Sequence, residues 1–203
     1  MTSNTGTMDM TLQLCLGMAG DPACQPTLQQ IYPDTPSQYY THLAQDLLRA
    51  ICTSGRALLP RGRLYCLQAY QESCQVHMAD EVRAKLAGPF NELNLFEDIL
   101  SEMDVSVVGK YLADVREPFS HIALQGNIHS VGLESVVRAV TQAQHQGLYI
   151  GCYQFKQTNW KTLSMLLNTN STLKTLDLVV GKSLVVSGQS LLSVTDNKTL
   201  KCM

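Results

Sequence analysis

The chain has 203 residues, of which 45% are hydrophobic, so it can bury a substantial core in one or two domains. Its 15 basic and 17 acidic residues give a net charge of -2, which excludes capture of nucleic acid or anionic membrane by a general electrostatic field. The seven cysteines are odd in number and include no C-x-x-C pair, which argues against a disulfide framework or a zinc ribbon and favours reduced thiols in a cytoplasmic protein.

The first segment, residues 1–9, is polar and is predicted to be a disordered start. Residues 10–19 are apolar, but no Lys or Arg precedes them and Asp9 lies at their edge, which disfavours a signal peptide. They are also about half the roughly 20 residues that a membrane span needs. We therefore predict a buried helix here and no membrane association.

Residues 10–90 are predicted to form a helical domain. One helix is predicted to begin at Pro36 and to end before Gly55, because proline favours the first turn and glycine the end of a helix. Its apolar stripe consists of Tyr40, Leu43, Leu47 and Ile51. A second helix is predicted over residues 63–78, with apolar positions at Leu64, Leu67, Val76 and Met78.

A capping-box pattern opens the next predicted helix, with Ser101 at the N-cap and Asp104 three residues later. The apolar positions of this helix are Val105, Val108, Tyr111 and Leu112. The helix follows the apolar pair Leu93 and Leu95, which we assign to a strand.

Residues 91–203 repeat with a period near 27. The sequence N-S-T-L-K begins at Asn170, and N-K-T-L-K begins 27 residues later at Asn197. Four units are predicted, with strands near 93–96, 122–125, 148–151 and 176–179. A fifth begins at Leu200 and is cut off at Met203, so we expect the chain to be a fragment or to dock at that end.

The unit over residues 119–140 resembles a ribonuclease-inhibitor-type leucine-rich repeat, with Ile122, Leu124 and Asn127 on the pattern L-x-L-x-x-N and with Ile128, Gly132 and a helix after them. The resemblance implies an α/β fold: a helical N-terminal region followed by a short solenoid of parallel strands with outer helices. Since no single unit closes its own core, neighbouring units must stack.

Three phrases, at residues 12–18, 64–72 and 100–112, look like the second helical domain and first repeats of the NLR family, receptors that combine a nucleotide-binding NACHT module with leucine-rich repeats. They occur in the family's order, and this chain carries no NACHT module. The resemblance implies a non-catalytic role in innate immune sensing or its regulation. The implied partners are a protein or other ligand on the repeats and a NACHT module in a longer chain.

No sequence pattern predicts catalysis, a metal or a cofactor. Gly181, Lys182 and Ser183 lack the glycine that a phosphate loop needs at position 176, which is Leu. The five histidines have no metal-ligand spacing and are predicted to lie on the surface or half-buried. Asn170 and Asn197 match the glycosylation pattern, but their shared repeat position favours a structural role.

Two alternatives stay open: a stand-alone leucine-rich-repeat scaffold or inhibitor without an immune role, and a repeat-bearing ligase whose active thiol is Cys52, Cys66 or Cys74.

The predicted partner-binding site is the concave sheet face, because the residues between and after the inward leucines point outward. The candidates are Asn94, Phe96, Ala123, Gln125, Tyr149, Asp177 and Val179. Among them, Phe96, Tyr149 and Val179 are predicted to form an apolar strip.

Overall fold

The computed structural model describes residues 5–54, 60–126, 128, 130–152 and 157–180. The chain divides into two compact units, Met1–Lys85 and Leu86–Met203. The boundary predicted from the sequence, between residues 90 and 91, lies five residues later in the chain. The helices described for the first unit are α1 Thr5–Gly20, α2 Gln25–Ile31, α3 Ser37–Thr53, α4 Pro60–Ser73, a 3-10 turn Val76–Met78 and α5 Ala79–Leu86.

Helix α1 packs against α3 and α4, which also pack against each other. It begins at Thr5, inside the segment 1–9 that the sequence predicts to be a disordered start. Leu16 and Ala19 are buried, whereas Leu14 and Met18 are at least half exposed. The helix predicted here as buried is therefore buried on one side only.

The buried stripe of α3 differs by one residue from the predicted stripe. Tyr40 and Ile51 are buried as predicted, but between them Ala44 and Leu48 are fully buried while Leu43 and Leu47 are only partly covered. A stripe chosen by side-chain bulk misses Ala44, because alanine fits where two helices approach closely.

The helix predicted over 63–78 ends early. Helix α4 stops at Ser73, Cys74 follows with a left-handed φ of 53°, and a 3-10 turn continues from Val76. The break rotates the chain, so that Met78 is buried but Val76 is 56% exposed. Val76, one of the apolar positions of the predicted helix, therefore lies outside the core.

The second unit alternates strands and helices. Its described elements are β1 Glu92–Leu100, α6 Glu102–Asp114, β2 His121–Gly126, α7 Ser130–Gln142, β3 Gly147–Cys152, α8 Gln157–Thr169 and β4 Thr175–Val180. The strands form one parallel sheet in the order β1-β2-β3-β4. An α/β fold with a parallel sheet is therefore confirmed.

The sheet is in register at the predicted inward positions. One row of neighbours consists of Leu93, Ile122, Leu148 and Leu176, and the next consists of Leu95, Leu124, Ile150 and Leu178. The first three members of each row are buried, and the β4 members are half-buried. All four predicted strands are confirmed, whereas Asn127 and the predicted fifth unit lie outside the described residues.

Helix α6 begins at the predicted capping box. The Ser101 Oγ accepts a hydrogen bond from the Asp104 N–H, and the Asp104 carboxylate accepts one from the Ser101 N–H at 2.9 Å. All four predicted apolar positions of α6 are buried. Helix α6 packs closely against α7, because Gly109 lies directly against Ser135.

Two buried polar side chains connect successive turns of the second unit. His145 is fully buried, its Nδ1 accepts the Phe119 N–H at 2.9 Å, and its ring stacks on that of Phe119. The prediction of surface or half-buried histidines is therefore wrong for His145. Asn170 accepts the N–H groups of Thr172 and Leu173 and donates to the Val140 carbonyl, which supports its structural role.

Candidate functional site

The outer face of the sheet is the side opposite its inward leucines. Because strand residues alternate between the two sides, each strand contributes three residues to this face. The outer face consists of Glu92, Asn94 and Phe96 on β1, His121, Ala123 and Gln125 on β2, Gly147, Tyr149 and Gly151 on β3, and Thr175, Asp177 and Val179 on β4. All seven predicted site residues belong to it.

An aromatic pair crosses the centre of the outer face. The rings of Phe96 and Tyr149 meet edge to face, with their centroids 5.2 Å apart and their planes at 75°. They belong to β1 and β3, so their contact spans the intervening strand β2. The residue of β2 in register with Tyr149 is Ala123, whose single methyl group leaves room for the contact.

The pair remains accessible. Phe96 is 41% exposed and Tyr149 is half-buried, on strands whose other faces are anchored in the core. Val179, the third residue of the predicted apolar strip, is 55% exposed on β4. Val179 is in register with Gly151 rather than with Tyr149, so it lies one row along the sheet from the Tyr149 backbone.

Gly151 provides space beside the pair. A Cβ atom at this position would lie 3.3 Å from the Gln125 Cγ and 3.4 Å from the Tyr149 Cε1. The first distance is slightly tighter than an ordinary van der Waals contact and the second is at its lower limit, so a residue larger than alanine would push on both side chains. The glycine thus sets how the Tyr149 ring lies against the sheet.

The Asn94 side chain makes a hydrogen bond with the backbone of its own strand. Its Oδ1 accepts the Phe96 N–H at 2.9 Å, immediately before the register of β1 with β2 shifts between Leu95 and Leu100. The side chain therefore stabilises the backbone that presents Phe96. We assign Asn94 a positioning role, where the sequence predicts partner contact.

The charge of the outer face is negative. Its twelve residues include the carboxylates of Glu92 and Asp177 and no Lys or Arg. Asp177 is exposed and is in register with Tyr149 on the neighbouring strand. A carboxylate residue and an aromatic residue are therefore neighbours on adjacent strands of the outer face, and these are the side-chain types that attract a cationic group by ion pairing and cation–π attraction.

Sequence reasoning missed the polar end of the outer face. A Cβ atom on Gly147 would lie 2.5 Å from the His121 Nδ1 and 2.8 Å from the Thr175 Oγ1, so these two side chains converge above the glycine. Glu92 is in register with His121 on the other side. The period-two alternation, extended one step before each predicted strand, would have identified these positions.

The thiols considered for catalysis lie in the first unit. Cys52 and Cys66 are buried, whereas Cys74 is exposed. The pKa of Cys74 is raised, first by partial burial and then by the negative charges of Asp21 and Glu72 and by Cys24. A raised pKa reduces the thiolate fraction, which opposes a nucleophilic role for Cys74.

Within the described residues, no three His, Cys, Asp or Glu side chains are placed to hold a metal ion. None of the described helices combines the length and apolar character needed to cross a membrane. The three residues of the rejected phosphate loop, Gly181, Lys182 and Ser183, lie outside the described residues.

Comparison with known proteins finds no matching family model, no matching curated protein and no matching solved structure.

Proposed function

We propose that this chain is a non-catalytic protein-interaction module, and that the outer face of its sheet binds a protein partner. The observation that carries the proposal is the solvent-accessible Phe96–Tyr149 pair on a parallel sheet whose other face is buried in the core. Aromatic side chains supply large contact areas with little loss of conformational entropy, and they are enriched at protein interfaces. A sheet anchored on its other face holds them in place before binding.

In this proposal the second unit is a short leucine-rich-repeat array whose concave side is the outer face. Support comes from the repeated strand–helix order, the in-register inward leucines and the resemblance of residues 119–140 to the repeat pattern. The three ordered helical phrases favour an NLR-type protein. Its proposed role is cytoplasmic, within an innate immune receptor or as a regulator of one.

The proposed partner presents an Arg or Lys side chain to the outer face. Asp177 supplies a carboxylate in register with Tyr149, and the outer face has no cation of its own to repel the partner. An arginine could stack on the tyrosine ring while pairing with the carboxylate. A partner of this chemistry would be selected by charge as well as by shape.

Site-specific photo-crosslinking in cells tests the proposal. A benzophenone amino acid is placed at Val179 on the outer face and, as a matched control, at Met165, which is similarly exposed on helix α8. We expect the Val179 probe to give discrete protein adducts that the Met165 probe does not. The adducts should disappear when Phe96→Ala and Tyr149→Ala are added. They should persist when Met103→Ala is added, because Met103 is exposed on helix α6 and does not belong to the outer face.

Identical adducts at Val179 and Met165, or adducts that persist without both rings, would refute the outer face as the binding surface. Identification of the adducts by mass spectrometry then tests the NLR-type proposal separately. A partner from an immune signalling complex would support it, whereas an unrelated partner would favour a stand-alone scaffold. Specific ATP binding by the purified chain would contradict an interaction module without a nucleotide site.

A further inference from the structure

A hollow of about 510 Å³ lies between the ends of α1 and α4 in the first unit. The two helix ends meet at Gly20, where a Cβ atom would collide with the Ser73 carbonyl oxygen. The lining comes from the second half of α1, the turn after it and the end of α4, and it includes Leu14, Met18, Asp21, Gln71, Glu72 and Cys74. A hollow of this volume can hold side chains of a bound molecule.

Two apolar side chains of α1 line the hollow and are exposed to solvent. Leu14 is 64% exposed and Met18 is 50% exposed, one helical turn apart on the same side of the helix. The core side of α1 is formed by Leu16 and Ala19, which are buried, so the exposed pair is not needed for the core. A bound molecule that covers both side chains would remove their apolar surface from water.

The charge of the hollow is negative. Asp21 and Glu72 contribute carboxylates, and no Lys, Arg or His is among the described residues that line it. The Glu72 carboxylate lies against α1 beside Gly17, since a Cβ atom there would be 3.5 Å from the Glu72 Oε2. Both helices end at the hollow and so direct the negative ends of their dipoles towards it. These charges and dipoles favour a cation in the hollow.

The lining also offers a hydrogen-bond acceptor. The Gln71 Oε1 is buried and accepts no hydrogen bond within the described part of the chain, so an N–H donor that enters the hollow would give it a partner. The pKa of Cys74 is raised first by partial burial and then by the charges of Asp21 and Glu72 and by Cys24, in agreement with a negative potential at this place. An ammonium or guanidinium group is both a cation and an N–H donor.

We propose that this hollow binds a protein segment that presents an Arg or Lys side chain next to an apolar side chain. The cationic group pairs with the carboxylates of Asp21 and Glu72, and the apolar neighbour covers Leu14 and Met18. A small cation without an apolar part would leave those two side chains in water, which favours a polypeptide. This interface belongs to the first unit, and it is independent of binding at the outer face of the sheet.

Nuclear magnetic resonance titration of the whole isotope-labelled chain tests the site. The probe is acetyl-leucyl-arginine amide. One matched control is acetyl-leucyl-citrulline amide, which lacks the charge, and the other is acetyl-glycyl-arginine amide, which lacks the apolar side chain. We expect the probe to cause saturable shifts of the Gly17, Met18 and Cys74 amide signals, and both controls to bind more weakly. Added salt should weaken the binding of the probe.

Glu72→Gln and Asp34→Asn are a matched pair of variants, because both carboxylates are exposed and only that of Glu72 lines the hollow. Glu72→Gln should weaken probe binding about two- to five-fold, and Asp34→Asn should leave it unchanged. An absence of saturable shifts, equal binding of the probe and either control peptide, or equal effects of the two variants would overturn the proposal. If hexylammonium binds as tightly as the probe, the hollow takes a small organic cation and the assignment to a polypeptide is wrong.

Discussion

Asn170 joins three backbone groups of the second unit. Its Oδ1 accepts the N–H groups of Thr172 and Leu173, both at 2.7 Å, and its Nδ2 donates to the Val140 carbonyl at 3.3 Å. We expect Asn170→Ala to reduce the free energy of unfolding by about 1–3 kcal/mol, because it leaves buried backbone groups without partners. The measurement is urea unfolding followed by the fluorescence of Trp160, the single tryptophan of the chain.

The control for Asn170 is the exposed Asn168 in the same segment. Asn168→Ala should change stability by no more than about 0.5 kcal/mol, as is usual for surface positions. Equal midpoints for the two variants would show that the Asn170 hydrogen bonds contribute nothing net.

Cys74 provides a test of electrostatics at a single thiol. Its pKa is raised in the folded protein by partial burial and by the charges of Asp21 and Glu72. Iodoacetamide attacks the thiolate, so at about pH 8 the folded protein should be alkylated at Cys74 more slowly than the urea-unfolded chain. Raising the pH through the folded pKa should remove the difference, and peptide mass spectrometry measures both rates.

The same shift links Cys74 to stability. A thiol whose pKa is higher in the folded than in the unfolded chain stabilises the fold below its unfolded pKa, and this contribution is lost as the pH rises through the folded pKa. Alkylation of the folded protein that is as fast as that of the unfolded chain at every pH would contradict the shift.

At the scale of elements, the contact between α6 and α7 depends on Gly109. A Cβ atom there would collide with the Ser135 side chain and lie 2.8 Å from the Ser135 carbonyl carbon. Gly109→Ala should therefore destabilise the protein by about 1–3 kcal/mol, despite the better helix propensity of alanine. Far-UV circular dichroism during thermal unfolding measures the change.

Gly17 in α1 is the matched helical glycine. A Cβ atom there would meet only the Glu72 Oε2, at an ordinary 3.5 Å. Gly17→Ala should be neutral or stabilising by up to about 1 kcal/mol, since only helix propensity changes. If both alanine variants are equally stable, close helix packing at Gly109 does not limit the fold.

The strands could be predicted from the sequence because their signal is local and repeated. Each apolar-x-apolar phrase identifies its own inward pair, and a period near 27 brings the pairs into register. The helices of the first unit were harder to predict. Ala44 is buried because its neighbours lie close to it, which its small apolar side chain does not indicate. The helix break at Cys74 is marked by neither glycine nor proline.

The sequence predicts which residues of the candidate site point outward, but it does not predict how their side chains contact one another. Alternation assigns Phe96 and Tyr149 to the same side of the sheet, 53 positions apart in the chain. Their ring contact depends further on the Asn94 hydrogen bond, the register shift in β1 and the small residue on β2. These features depend on how neighbouring strands are placed, and the sequence pattern of a single strand does not indicate that placement.

At the scale of the whole molecule, charge is nearly balanced but is not evenly placed. The net charge is -2, yet the outer face has carboxylates and no Lys or Arg. If the partner is cationic, Asp177→Asn should weaken its binding several-fold and make the affinity less sensitive to salt. Titration of the partner identified by crosslinking, at low and high salt, measures both effects.

Glu134 on α7 is the control for the loss of one negative charge, since it is exposed and paired only with Arg138 among the described contacts. Glu134→Gln should leave partner affinity and its salt dependence unchanged. An equal effect of Glu134→Gln and Asp177→Asn would mean that net charge, rather than the outer face, attracts the partner.

If the outer face binds a partner as proposed, the aromatic pair that spans β2 makes Ala123 a determinant of recognition that needs no contact with that partner. A larger side chain at position 123 would separate the two rings while leaving both of them on the surface. Related chains could therefore acquire different partners by exchanging one small residue beneath an unchanged pair of aromatic residues. Binding specificity would then change through the spacing of the two rings, while the residues that contact the partner stay the same.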